Sequence, residues 1–241
     1  MTQSSNGGSS QPVFQSPAVV VAVIAVLAAI HGALWLLGEN WQAWTLYNFA
    51  FIPARLCCAA FPHATGSEVW TFLTYGLLHG SWGHLGANSL WLLIFGTPVA
   101  RFLGPWRFLL LAVASTVAGA MAALLAHWDE VYIMVGASGA VSGLMGAAVP
   151  IMFGSSRGWR KAMIGQAGAT HPLPPRLLVG NRNAVVFSAV WLAITLISGA
   201  WGWTGNSFVA DGGIAWEAHI GGFLGGLVAF YALWPDWMRG A

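Results

Sequence analysis

No charged residue occurs between Glu130 and Arg157, and inside that window Gly136-Ala137-Ser138-Gly139 opens a run of small and apolar residues, Ala140 to Ala148. A stretch of this length without charge can cross a bilayer as a helix, which satisfies its own backbone amides. Small side chains on several of its sides let neighbouring backbones come close. The stretch is therefore expected to form a central helix, surrounded by others, with Ser138 near one end. The residue after Gly139 is Ala140, so this is not the strained G-x-S-x-G turn of soluble hydrolases. Read alone, Ser138 is a packing residue, and only partners elsewhere in the chain would give it chemistry.

Composition agrees with a membrane protein. The chain is 57% hydrophobic and 7% charged, where a soluble domain has roughly 25% charged residues. Its 241 residues suit one compact membrane domain. The net charge of +2 comes from basic residues spread over several loops, so no nucleic-acid surface is expected. The fifteen Trp cluster near the ends of apolar runs, as an interfacial belt requires. Cys57 and Cys58 are adjacent and cannot form an ordinary disulfide with each other. No zinc spacing occurs, so no metal site is expected.

Residues 1–16 read as a disordered tail rich in Ser, Gly, Gln and Asn. Residues 17–235 are expected to be one six-helix membrane domain, and 236–241 a second short tail. The first span runs Ala18 to Leu37 and lacks the basic start of a signal peptide. Its His31 reads as a helix–helix hydrogen-bonding residue. A long connection, about 38–83, is too polar to span at Glu39, Arg55 and Glu68, yet rich in Trp, Phe and Tyr. It is expected to fold partly as an amphipathic element lying in the interface. Further spans run from His84 to about Val99, Phe108 to about His127, Gly136 to about Met152, Ala184 to about Trp203, and Ile214 to about Leu233. No alternating β-barrel pattern is present.

Charge orients the bundle. With the N-terminus in the cytoplasm, the inside segments 98–107, 154–182 and the C-terminal tail hold every Lys and Arg except Arg55, while most acids fall outside. That asymmetry follows the positive-inside rule. Under this topology His84 and Asn88 on the second span, Ser138 on the fourth and His219 on the sixth converge a few ångströms below the outer surface. Intramembrane polar groups are costly and mark function when they gather at one depth. His84 and Asn88, four apart, share a helix face.

Gly222 and Gly226 follow His219 at i+3 and i+7, and Gly139 and Gly143 line the Ser138 helix. Two such smooth strips allow close backbone approach and bring imidazole towards hydroxyl. Neutral imidazole suits the role of a base that takes the serine proton. Glu217, two residues before His219, would point elsewhere, so a Ser–His dyad is inferred. Asn88, His84 and the Ser138 N–H are available as oxyanion donors. Zinc chemistry fits worse, because there is no HExxH. Aspartyl chemistry lacks a carboxylate pair in every span.

The set His79-x4-His84-x3-Asn88, Gly136-Ala137-Ser138-Gly139 and Ala218-His219-Ile220-Gly221-Gly222 with Gly226 resembles the rhomboid family of intramembrane serine proteases. The likeness covers roughly residues 18–235, with the motifs in order on spans two, four and six. It implies an all-α, six-transmembrane-helix bundle that cleaves the transmembrane segments of single-span membrane proteins within the lipid bilayer, with no cofactor. Carried over, Ser138 is the nucleophile, His219 the base, and His84 and Asn88 the oxyanion residues. His79 resembles a histidine that orders the site.

Two departures stand out: Ser142 occupies a position often aromatic, and the first loop has no Trp-Arg pair. Trp91, one turn after Asn88, is a candidate gate against Phe187 or Trp191 on the fifth span, a reading the resemblance shares. The localisation that follows is a multi-pass protein of a bacterial inner membrane, its site opening outward. Two other readings stand beside the protease: a catalytically silent rhomboid-like protein that binds membrane clients, and a transporter. The intact Ser138, His219, His84 and Asn88 argue against the first, and the lack of inverted repeats against the second.

Overall fold

Length and apolarity dictate the first element, α1 (Ala18–Leu37), an unbroken apolar helix that buries little of its surface. The computed structural model describes residues 16–57, 64–166, 170–200 and 215–234. The two terminal tails expected from the sequence, apart from Ser16, therefore lie outside the described residues. Gly38, at φ +86°, turns the chain after α1. The long connection then folds as α2 (Glu39–Phe49), α3 (Ala54–Cys57), α4 (Ser67–Thr74) and a single 3₁₀ turn, Tyr75–Leu77. Trp41, Trp44 and Tyr47 of α2 are exposed, and a chain of ring contacts links Trp41, Trp44, Phe49 and Trp70.

Arg55, the one basic residue out of place in the charge pattern, has a local task. Its guanidinium is buried and donates to the carbonyls of Ala50, at 2.6 Å, and Tyr47. Those carbonyls end α2, where the helix dipole is negative and a cation is stabilising.

The second expected span is one helical rod in three pieces. Ser81 caps α5 (Trp82–Trp91) by accepting the His84 N–H at 3.1 Å. A π turn, Leu92–Gly96, follows, and α6 (Thr97–Leu103) continues to Gly104. Arg101 of α6 donates to carbonyls at the end of a short helix, α9, described below. The third span, α7 (Pro105–Ala126), starts three residues before the expected Phe108, because Pro105 is pre-set for a first helical turn. The central helix is α8 (Ser138–Phe153), and its residues 141–151 are buried without exception.

After it come α9 (Gly158–Met163) and α10 (Pro175–Leu178). Asn181 then caps α11 (Arg182–Ala200) by accepting the Ala184 N–H at 3.0 Å, so this helix begins before the expected Ala184. The last element is α12 (Trp216–Leu233). The expected ends at Trp203 and Ile214 fall outside the described residues. Among those described, α1, α7 and α11 are long and apolar enough to cross a membrane by length and composition. The α8 helix is shorter, the α5–α6 rod is interrupted, and α12 is diluted by Glu217, His219 and four glycines.

Backbone proximity packs the centre. A β-carbon on Gly222 would overlap the Gly139 carbonyl, one on Gly226 the Gly143 carbonyl, and one on Gly146 the Phe223 carbonyl. One on Gly143 would lie 2.9 Å from the Gly222 oxygen and would also overlap the Ser115 side chain. The same helix meets α7 on its adjacent face: a β-carbon on Gly221 would lie 2.6 Å from Ala118 O, and one on Gly225 would overlap Ala118 Cβ. Thus Gly221-Gly222-Phe223-Leu224-Gly225-Gly226 presents one glycine pair to α7 and the other to α8. Gly222→Val is expected to lower the melting temperature in detergent sharply, since overpacking against immobile backbone costs about 1–3 kcal/mol or more. Gly86→Ala, where a β-carbon meets nothing within 4 Å, should leave it unchanged or raise it, a gain of up to about 1 kcal/mol. Equal melting of wild type and Gly222→Val would refute the packing argument.

Candidate active site

Ser138 is the first residue of α8, so its N–H has no acceptor within the helix and sits at the positive end of the dipole. The chain reaches it through Gly136, at φ +125°, a conformation only glycine adopts readily. Gly136 N–H donates to Tyr75 O at 3.0 Å. Two residues earlier, Met134 exchanges both backbone hydrogen bonds with Phe51, at 3.0 and 2.9 Å. The loop before Ser138 is thereby fastened to the first connection at two points. Tyr75 is a wedge beneath it: fully buried, with its hydroxyl donating to Thr116 O at 2.8 Å and lying against Gly139.

His84 faces the same spot. The position a β-carbon would take on Gly136 is 2.6 Å from His84 Cε1, 2.8 Å from His84 Nε2 and 3.7 Å from Ser138 Oγ. The absence of a side chain there lets the His84 imidazole close in on the backbone beside Ser138. His79 packs edge-on against His84, with ring centroids 5.1 Å apart, and is itself buried. One turn along α5, Asn88 is buried and donates one amide hydrogen to His84 O at 3.1 Å, which leaves its second N–H for another acceptor. A cavity of about 240 Å³ adjoins the site between α1, α2 and the turn before α5, lined by His31, Gln42, His79 and Ser81. His31 itself packs edge-on against Trp82, with ring centroids 4.6 Å apart.

His219 lies in the first turn of α12, three residues before the Gly222–Gly139 contact, and Ser138 is adjacent to Gly139. No hydrogen bond joins Ser138 to His219 among the described residues. Glu217 turns away from His219 and meets His127, with Oε1 3.0 Å from Nε2.

Ser142 is buried within α8. The aromatic pair nearest in chain position to the base is Phe223, four residues after His219, stacked on Trp191 of α11 at 4.4 Å. Trp91 is 43% exposed and stacks on Phe95 at 5.7 Å, and it is Phe95 that approaches Phe187, at 6.5 Å. Three contributors escaped the sequence reading: Tyr75, the α7-facing pair Gly221 and Gly225, and His127. Only the doubled glycines carried a visible signal, as a second small-residue strip offset by one from the first.

Residues 66–236 match the family model of the Rhomboid domain. Over 166 residues the chain is 30% identical to the rhomboid protease GluP of Bacillus subtilis, covering 69% of this chain and 26% of that protein. It is 25% identical over 218 residues to the rhomboid protease GlpG of Serratia proteamaculans, covering 88% of this chain and 62% of that one. Against GlpG of Pectobacterium atrosepticum the identity is 29% over 182 residues, 75% of this chain and 54% of the relative. The chain thus spans less than two thirds of each of these three relatives.

Gly136→Ala should test how the loop and His84 fit together. It combines a disfavoured backbone angle with a methyl group inside contact distance of the imidazole, and each is independently costly. A loss of stability and a displaced His84 resonance in NMR spectra are expected. A variant with wild-type melting and an unshifted His84 would show that the two groups do not share this space.

Proposed function

The chain belongs to the rhomboid family, and on that premise we propose that it is an intramembrane serine endopeptidase that cleaves transmembrane segments of single-span membrane proteins. One observation carries the reading: a single point beside Gly136 lies within 2.8 Å of His84 Nε2 and 3.7 Å of Ser138 Oγ. A hydroxyl and an imidazole nitrogen thus border the same glycine at the start of the Ser138 helix. The glycine contact of α12 with α8 supports His219 as the base.

In the proposed reaction Ser138 Oγ adds to the scissile carbonyl carbon while its proton passes to His219. The oxyanion is held by the Ser138 N–H, the free N–H of Asn88 and the His84 ring. The C–N bond then breaks, and His219 hands its proton to the leaving amine. Water, deprotonated by His219, attacks the acyl-enzyme and releases the new carboxyl end and Ser138. His79 orders the His84 ring by packing against it.

The helices α1, α5–α6, α7, α8, α11 and α12 are the six spans of this reading. The N-terminus is cytoplasmic and the site opens to the outer side of a bacterial inner membrane. The buried capping role of Arg55 supports that orientation, because it accounts for the one basic residue the charge rule leaves over. Substrate enters sideways past Trp91, Phe95 and Phe187, where α11 is largely exposed and meets its neighbours through aromatic rings.

Purified protein should cleave a single-span model substrate in liposomes, and Ser138→Ala or His219→Ala should abolish this, the double variant being no worse than either. Asn88→Ala should lower kcat by roughly ten- to a thousandfold with little change in KM. Full cleavage by Ser138→Ala would overturn the assignment, and binding of the substrate without cleavage by the wild type would identify a silent client-binding protein. Trp91→Ala should speed cleavage of a membrane-embedded substrate and leave a small soluble one unchanged. Equal acceleration of both would instead favour entry from above.

A further inference from the structure

Outside the Ser138 site, the best-defined cluster of ionisable groups stands at the outer end of α7. His127, the first residue beyond that helix, has Nδ1 2.7 Å from Glu130 Oε2 and Nε2 3.0 Å from Glu217 Oε1. A neutral imidazole carries one N–H and one lone pair, so only the protonated ring donates to both carboxylates. Its face stacks on Tyr132, with centroids 4.3 Å apart and planes 16° from parallel. The ionisable groups facing the ring are Glu130 and Tyr132 from the loop after α7 and Glu217 from α12. Glu217 is mostly buried, and its other oxygen, Oε2, has no hydrogen-bond partner. A carboxylate so placed depends on the cation beside it.

The cluster joins the two carriers of the chemistry. Glu217 is two residues before His219, in the first turn of α12. Glu130 belongs to the loop that leads through Met134 and Gly136 to Ser138, and its own carbonyl accepts the Ala54 N–H at 3.1 Å. We propose that His127 is a positioning residue: its imidazolium clasps the start of α12 to the end of α7 and to the loop before Ser138, and so fixes the separation of base and nucleophile. The inference rests on reading His219 and Ser138 as that pair.

Two histidines then work in opposite charge states, since His219 must be neutral to accept a proton and His127 must be charged to hold it in place. Partial burial pulls the His127 pKa down, but its hydrogen bonds to Glu130 and Glu217 outweigh that and hold it above the ordinary 6.5. A folded-state pKa above the unfolded value means that the stabilisation is fully present below about pH 6.5 and is lost as pH rises through the raised value.

The test uses the full chain with a single-span substrate, comparing wild type, His127→Gln, Glu217→Gln, the double variant and His127→Lys from acid to alkaline pH. Melting temperature and fluorophosphonate labelling of Ser138 are followed alongside cleavage. Near pH 6, His127→Gln should lower kcat roughly fivefold or more with KM nearly unchanged, and the double variant should be no worse than either single one. The wild type should lose turnover on an alkaline limb that His127→Gln lacks and that His127→Lys moves towards the lysine range. The melting difference between wild type and His127→Gln should be largest at acid pH and fade as pH rises.

Wild-type turnover by His127→Gln at pH 6, or a melting difference independent of pH, would overturn the clasp. A wild-type protein that neither cleaves nor takes the label would overturn the protease reading and with it the positioning role. A melting difference that still faded with pH would then mark His127 as a purely structural tie.

Discussion

The site depends on helices that touch through backbone rather than through side chains. Within a bilayer, apolar side chains gain little by leaving lipid for each other, so association rests on close packing and its many small contacts. The α12 helix is held on two adjacent faces, by Gly222 and Gly226 against α8 and by Gly221 and Gly225 against α7. Peptide groups do not swing as side chains do, so this wedge allows α12 little freedom to turn or slide. An imidazole in its first turn inherits that rigidity. Among the described residues no carboxylate is hydrogen-bonded to His219, Glu217 being engaged with His127 instead.

The end of the bundle that carries Ser138 poses a different problem. Ser138 has to begin a helix with its N–H unspent, which requires the preceding loop to be held by something other than that helix. The first connection supplies the hold through Phe51, which pairs with Met134, and Tyr75, which accepts from Gly136. A small core of Phe51, Tyr75, Ala120, Ala123, Leu124, Met134 and Ala218 locks these pieces to α7 and α12. The short helices of the connection are thus a frame for the serine loop. Arg55 completes the frame by satisfying the carbonyls that end α2.

Much of this was legible in the sequence because it follows from local rules. Apolar length located the helices, small residues located the central one, and four polar residues expected at a common depth marked the candidate site. Element ends shifted where capping chemistry decided them, at Pro105 and Asn181. What could not be read depends on contacts distant in sequence. The pairing of Phe51 with Met134 joins segments that share no pattern, and Tyr75 reads as any aromatic in an aromatic loop. His127 reads only as the end of a span; the carboxylates that meet it lie three and ninety residues away. The doubled glycines of α12 were half understood, since one strip was matched to α8 while its neighbour, offset by a single residue, serves α7.

The π turn at Leu92–Gly96 sets the relative phase of two halves of one rod. An α-helix advances about 100° per residue, so one additional residue in a turn rotates everything beyond it by that angle. Upstream, the azimuth of α5 turns His84 towards Gly136, two residues before Ser138. Downstream, the azimuth of α6 is set by Arg101, which must reach the carbonyls that end α9. A regular helix would tie these two requirements to a single angle. The wide turn separates them, so the half that faces the chemistry and the half that anchors the opposite side of the bundle can each be adjusted without turning the other out of register.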